Sequence, residues 1–457
     1  MTFTIHSSLN HNRQTPHSAT TPYNTLAERL LYAQIAVAII FQKIVLSFGS
    51  ETQVFIGIPI MLAITALGLI TKVYQLRPFH TVIYLLMVTA LILTQLLGQS
   101  YAFSIPSLLL LIILHLPYAF GPRPGFARPG AELVFFQKIS LLVAALGLIQ
   151  FAAQFVIGSK YAFPVDNFLP TTLLPHGYNN VPHGYNSLNP LHPGSDIYKS
   201  NGVFFREPAA FCQLIAISVI IEMTYFRNWK RLALFLAAIA VTFSGTGLII
   251  LFVLTPFYLL QKRHFLVLFI GAILVLTAGF WTPLVGLEAT YTRTSEFFNP
   301  HASGFARFLG ALPLLDKFIW PDLTTTLFGR GAGSVIKSIT DLDHAAHNPT
   351  WVKIIFEFGL VGFYTYAIFF ACILLTPRRS GYLKAALAIQ FVLLGEYVLS
   401  PTVHGILLGL LIRSSADPDL QANTEEPTTA FTSTTPSNRR QSPNGNSDPP
   451  VELTRQI

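Results

Sequence analysis

"SNGVFFREPAAFC", residues 200 to 212, places an arginine, a glutamate and a proline at the mouth of an apolar run that continues to about residue 226. Roughly 20 predominantly apolar residues in helical form cross a hydrocarbon core of about 30 Å. Pro208 suits the first turn of such a helix, where its missing N–H would have found no partner. The stretch therefore reads as a membrane span that begins where the charges stop. Working outward, further apolar runs read at about 29–48, 52–71, 79–97, 103–120, 135–158, 231–245, 247–260, 265–285, 351–376, 385–400 and 404–413. Together they predict an all-α polytopic membrane protein with about twelve transmembrane helices, the runs from 231 to 260 forming a hairpin. Composition agrees: 52% of residues are hydrophobic, 11% are charged and 38 are phenylalanine.

The formal net charge of +8 invites a nucleic-acid reading, but the cations sort by loop. Lys72 and Arg77, Arg123 and Arg128, Arg227, Lys230 and Arg231, Lys262 and Arg263, Arg378, Arg379 and Lys384, and finally Arg413 all follow even-numbered spans. The short odd connections contain no lysine or arginine. Positive charge collects on the cytoplasmic side, so both termini are expected there and no nucleic-acid partner is implied. The first 24 residues are polar and lack an apolar core, so they predict a cytoplasmic segment rather than a cleavable signal. From residue 414 to 457 the chain turns rich in Pro, Thr, Ser and Asn, the composition of a disordered cytoplasmic tail. Cys212 and Cys372 lie in apolar runs and read as small buried hydrophobes, with neither a disulfide nor a metal site implied.

Between these ends, residues 25–413 form the predicted transmembrane domain, with two long outer segments at 159–207 and 286–350. The first includes "PHGYNNVPHGYN", which reads either as an expanded linker or as an aromatic loop that stacks on sugars. In the second, "SEFFNPHASGFARFLGALPLLDKFIW" predicts an amphipathic helix, and the segment reads as a small helical cap between spans nine and ten.

Arg206 abuts a helix N-terminus, and together they would hold an anion, a guanidinium fork being suited to phosphate. The alternative is an interfacial arginine at a helix start. "HNPTW" repeats the arrangement: Asn348 reads as N-cap, Pro349 as the first helical residue, and His347 is left just outside. A histidine near the positive end of a helix favours its neutral form, which serves as general base toward a hydroxyl. His344 is a second candidate for that task, and Arg293, Arg307 and Arg330 are further outer cations. "SGTG" at 244–247 reads as a tight turn or an anion nest, and "GRGAGS" lacks the Lys-Ser/Thr of a nucleotide-binding P-loop. Lys43 and Glu396, the clearest ionisable residues within spans, are expected to snorkel to the outer surface.

"NGVFFREPAAF", "TFSGTGLIIL", the arginine-bearing cap, "GRGAG" and "HNPTWVKIIFEFGLVGF" follow one another in an order that resembles the O-antigen ligase and polymerase superfamily of bacterial envelope enzymes. The resemblance covers roughly residues 135–412. It implies a GT-C-like, metal-independent inverting glycosyltransferase in the bacterial inner membrane, with no cofactor. It implies a polyprenyl-diphosphate-linked glycan as donor and a glycan, lipid or protein as acceptor. The lipid bilayer and other envelope polysaccharide assembly proteins would be its surroundings. Carried onto this chain, Arg206 and Arg307 would hold the donor diphosphate and His347 would activate the acceptor, with Glu207, Arg330 and His344 as further substrate-binding groups. A transporter of a small anion or lipid-linked sugar is the competing expectation.

Overall fold

A backbone in an apolar medium must hydrogen-bond to itself, and each of the twelve apolar runs contains a helix. In the computed structural model these are α1 Pro22–Ile40, α2 Gly57–Ile70, α3 Pro78–Leu97, α4 Ile105–His115, α5 Ala131–Ile157 and α6 Pro208–Ile221. They continue with α7 Trp229–Ala240, α8 Thr246–Gln261, α9 Phe265–Leu276, α10 Thr350–Leu375, α11 Gly381–Leu393 and α12 Pro401–Leu407. A π-helical turn extends α6 to Phe226 and another extends α12 to Ile412. The structure describes residues 22–48, 52–98, 103–123, 128, 130–175, 188–192, 194–281, 303–339, 342, 346–375 and 379–413. The N-terminal segment up to residue 21, the tandem repeat beyond Pro175, Arg293, His344 and the tail from 414 lie outside the described residues.

Four of these helices, α3, α5, α6 with its extension, and α10, are long and apolar enough to cross a membrane. The others are shorter or less apolar. The first apolar run is not one helix: beyond Ile40 the chain forms β1 Val45–Phe48, antiparallel to β2 Thr52–Phe55, with Val45 opposite Phe55. Strand-favouring Val, Phe and Thr on either side of a polar turn favour a hairpin over a continued helix. A second ribbon joins β3 Tyr74–Leu76 to β4 Phe120–Pro122. The described chain is thus mostly helical, with two small ribbons at helix connections.

α6 is the centre of the bundle: 72% of its apolar window is buried, against 28% to 39% for the other three long helices. It packs against α5, α7, α8 and α11, while α1 packs on α2, α5 and α12, and α3 lies along α10. α9 stands at the rim with no buried residue, its leucines and phenylalanines facing outward as on a lipid-facing helix.

Several charges expected at the surface are built into the interior. Lys43 is buried and donates to Asp166 at 2.6 Å, so it does not snorkel. Glu396 likewise turns inward and pairs with Lys353. Arg379 pairs with Glu132, and Arg413 donates to Gln34 and Thr65 while stacking on Tyr74, locking α12 onto α1 and α2. Removed from water, each such charge must be paired, and each has a partner.

Of the segment expected as one amphipathic helix, the described part from residue 303 is instead two short helices, Ser303–Phe308 and Ala311–Phe318, turning at Gly310. Helices Leu323–Phe328 and Ser334–Ile339 follow. Leu314, Leu315, Ile319 and Val335 form a small core with Val352, Ile355 and Phe356 of α10, so the first half of α10 belongs to the cap. At Gly359 (φ 66°, ψ −170°) α10 breaks. The carbonyls of Phe356 and Glu357 are taken by the Arg330 and Gly331 N–H groups at 2.9 and 3.2 Å. Gln95 of α3 joins in, donating to the Glu357 carbonyl and accepting from the Ala332 N–H. "GRGAG" is therefore a backbone clamp on a broken helix.

A Cβ at position 359 would lie 2.3 Å from the Leu327 carbonyl, whereas one at Gly271 would meet nothing. Gly359→Ala should destabilise the purified protein by about 2 kcal/mol or more, seen as a lower melting temperature. Gly271→Ala, on the exposed face of α9, should leave melting unchanged or raise it slightly.

Candidate functional site

The segment leading to Arg206 is anchored by two glutamines one helical turn apart on α5. Gln154 exchanges both its amide hydrogen bonds with the Tyr198 backbone, at 2.8 and 2.7 Å. Gln150 accepts from Ser200 Oγ and the Asn201 N–H and donates to Asn201 Oδ1, all within 3.1 Å. Asn201 also reaches the Asp166 carboxylate already held by Lys43. Gly202 (φ 63°) then turns the chain tightly over the Phe211 ring, and Val203 follows at φ 69°, an unusual conformation for a β-branched residue. Glu207 takes the cap position of α6 and Pro208 the first helical one, as its sequence predicts. "SGTG" packs against α6: Thr246 Oγ1 donates to the Ala209 carbonyl and Cys212 Sγ to that of Ser244, so its turn serves helix packing.

The start of α10 lies against this region. His347 donates its N–H to the Ala306 carbonyl at 2.8 Å, joining the stretch before α10 to the helix Ser303–Phe308. α10 begins one residue later than an Asn348 cap predicts. The Pro349 carbonyl accepts the first intrahelical bond, from Lys353, and the Thr350 N–H is bonded to Gly395. Asn348 is buried, its Nδ2 without a partner among the described residues.

These elements enclose a cavity of about 640 Å³ whose wall includes Arg206, Glu207, His347, Asn348 and Glu396. That is the size of an ordinary small-molecule site. The Arg206 guanidinium sits 4.7 Å over the Phe55 ring, another wall residue. Behind Glu396, buried Lys353 bridges it at 2.8 Å and Glu357 at 3.0 Å. Where α6 meets α11, Tyr397 Oη donates to Gln213 Oε1 at 2.6 Å and Gln390 Nε2 approaches the same oxygen at 3.4 Å.

Of the residues singled out in the sequence, Arg206, Glu207 and His347 thus share one cavity although they are distant along the chain. Arg307 lies on the helix that bonds to His347, but its side chain is outside what is described. His344 is outside the described residues. Arg330 is placed elsewhere, its guanidinium 4.9 Å over Phe318 within the cap and its N–H clamping α10. Gln213, Gln390, Lys353 and Glu357 were not singled out. Their signal was a polar residue alone in an apolar run, which in a bilayer faces the bundle interior.

No family model matches the chain, and a search of curated proteins finds no relative.

Because Lys353 is buried between two carboxylates, Lys353→Met should cost about 3 to 5 kcal/mol by leaving both unpaired. Adding Glu357→Gln and Glu396→Gln should recover much of the lost melting temperature in detergent.

Proposed function

We propose that the chain transfers a glycosyl group from a polyprenyl-diphosphate-linked glycan to an acceptor hydroxyl, at the outer face of a bacterial inner membrane. The observation that supports this most is the meeting of Arg206 and His347 in one cavity, each beside the start of an apolar helix. In the reaction the acceptor oxygen attacks the anomeric carbon from the face opposite the diphosphate. The carbon–oxygen bond to the diphosphate breaks with its electron pair on the leaving group, and the hydroxyl proton passes to His347. Proton transfer of this kind contributes roughly a hundred- to ten-thousand-fold in rate. Arg206 stabilises charge growing on the leaving diphosphate, with no metal ion required.

The described wall holds one guanidinium, Arg206, against two carboxylates, Glu207 and Glu396. A diphosphate therefore calls for a second cation, and Arg307 on the adjoining helix is the residue assigned to it. Twelve crossings, with both termini cytoplasmic, complete this reading. Polymerisation of repeat units is favoured slightly over ligation of finished glycan to a lipid or protein.

A transporter is the second reading, and specific observations favour it. A helix broken at Gly359, adjoining a buried Lys353–Glu357 pair, is the type of feature that transporters use around a substrate site. Against it stands the pairing of Lys43 with Asp166, of Lys353 with Glu357 and Glu396, and of Arg379 with Glu132, charges that find their partners within the protein.

Deleting the gene in its host and complementing with wild type or His347→Ala separates these readings. Transfer predicts that surface polymer is lost, lipid-linked glycan accumulates, and only wild type restores the polymer. Accumulated single repeats indicate a polymerase and accumulated long chains a ligase. Full rescue by His347→Ala would remove the histidine from the chemistry.

In a binding measurement, Arg206→Ala and Arg307→Ala should each weaken donor affinity about tenfold or more, while His347→Ala leaves it nearly intact. Equal affinity in all three variants would contradict the assignment.

A further inference from the structure

We propose that the cavity wall where α6 meets α11 is a subsite for a sugar ring, formed by Gln213, Gln390 and Tyr397 with Asn348 and Glu396 nearby. Gln213, Gln390 and Asn348 are 1%, 3% and 6% exposed, and all three contribute to the same cavity. Each has a polar side-chain atom with no hydrogen-bond partner among the described residues: Gln213 Nε2, Gln390 Oε1 and Asn348 Nδ2. Buried amides are ordinarily paired, and packing alone would be served better by leucine.

The pattern does not depend on how the amides are oriented. With Tyr397 and Gln390 both directed at Gln213 Oε1, one NH₂ and one carbonyl remain. Exchanging oxygen and nitrogen on both glutamines keeps the contacts and again leaves one donor and one acceptor.

That combination selects among ligands. A diphosphate presents only acceptors to the wall, so the carbonyl would stay unpaired. An alkyl tail satisfies neither group. A sugar hydroxyl both donates and accepts, so neighbouring ring hydroxyls complete the pair, and Asn348 and Glu396 add one donor and one carboxylate acceptor. Sites built to bond a hydroxyl discriminate strongly against analogues that lack it. The proposal rests on the transferase reading only for which molecule brings the ring, donor or acceptor.

The test uses the full chain in nanodiscs of sugar-free phospholipid, probed by saturation-transfer NMR with methyl glycosides of glucose, galactose, mannose and N-acetylglucosamine. At least one should bind, and Gln390→Leu should weaken it about tenfold, the loss of one hydrogen bond's worth of affinity. Inorganic pyrophosphate binding, measured in parallel, should be unchanged in Gln390→Leu. The variant should melt close to wild type, because the deleted carbonyl had no partner and the deleted NH₂ made only the long 3.4 Å contact to Gln213 Oε1, whereas a glutamine kept for structure would lower melting clearly. Asn348→Ala provides a second variant, with the same expected loss of glycoside binding.

If glycosides bind and the variants lose them while no transfer is detected, the subsite stands and the transferase reading falls. In a transfer assay, a raised KM for donor or for acceptor in Gln390→Leu identifies the source of the ring. Failure of every glycoside to bind folded wild type, or equal binding to all variants, overturns the proposal.

Discussion

The break at Gly359 makes the rest of the architecture necessary. Where a helix stops inside a bundle, the carbonyls it frees must find donors, because no water is present to supply them. The N–H groups of Arg330 and Gly331 provide these donors, and the amide of Gln95 ties α3 to the same point. The cap is thereby fixed to α10, and the stretch before α10 is fixed to the cap through His347 and Ala306. The opposite wall of the cavity depends on a similar device, the paired glutamines of α5 that hold residues 198–201 and so present Arg206.

Several buried polar groups in this protein fasten its elements together. Lys43 with Asp166, Arg379 with Glu132, and Arg413 with Gln34 and Thr65 are closed pairs that fasten elements together. Two buried histidines, His115 and His404, are closed as well. His115 lies between the Leu111 carbonyl and the Tyr366 hydroxyl, and His404 between Tyr118 and the Val398 carbonyl, an arrangement suited to neutral rings. Around the cavity, Gln213, Gln390 and Asn348 retain unused hydrogen-bonding capacity. What sets these three amides apart is that they line one cavity, where a ligand would complete them.

Much of the scaffold was legible in the sequence, because an apolar run of helical length has few alternatives. Each run contains a helix, and the Glu207-Pro208 start of α6 follows its residues closely. What was not legible depended on distant partners. Nothing local tells Lys43 to turn inward, because the reason is Asp166 in another segment. The break in "EFGLVGF" needs the approach of Leu327, and the hairpin after Ile40 is too short to disturb an average over an apolar window. For the site, Arg206, Glu207 and His347 were suggested by helix mouths and by resemblance. The glutamines were missed because an isolated amide in an apolar run says that it faces inward, without saying what it faces.

The account is tested most directly by following covalent turnover with the purified protein in nanodiscs, supplied with a polyprenyl-diphosphate-linked glycan and an acceptor. Wild type should release one polyprenyl diphosphate for each new glycosidic bond, and His347→Ala should release none. Passage of the uncleaved lipid-linked glycan across a proteoliposome bilayer, without release of the lipid diphosphate, would contradict the central claim.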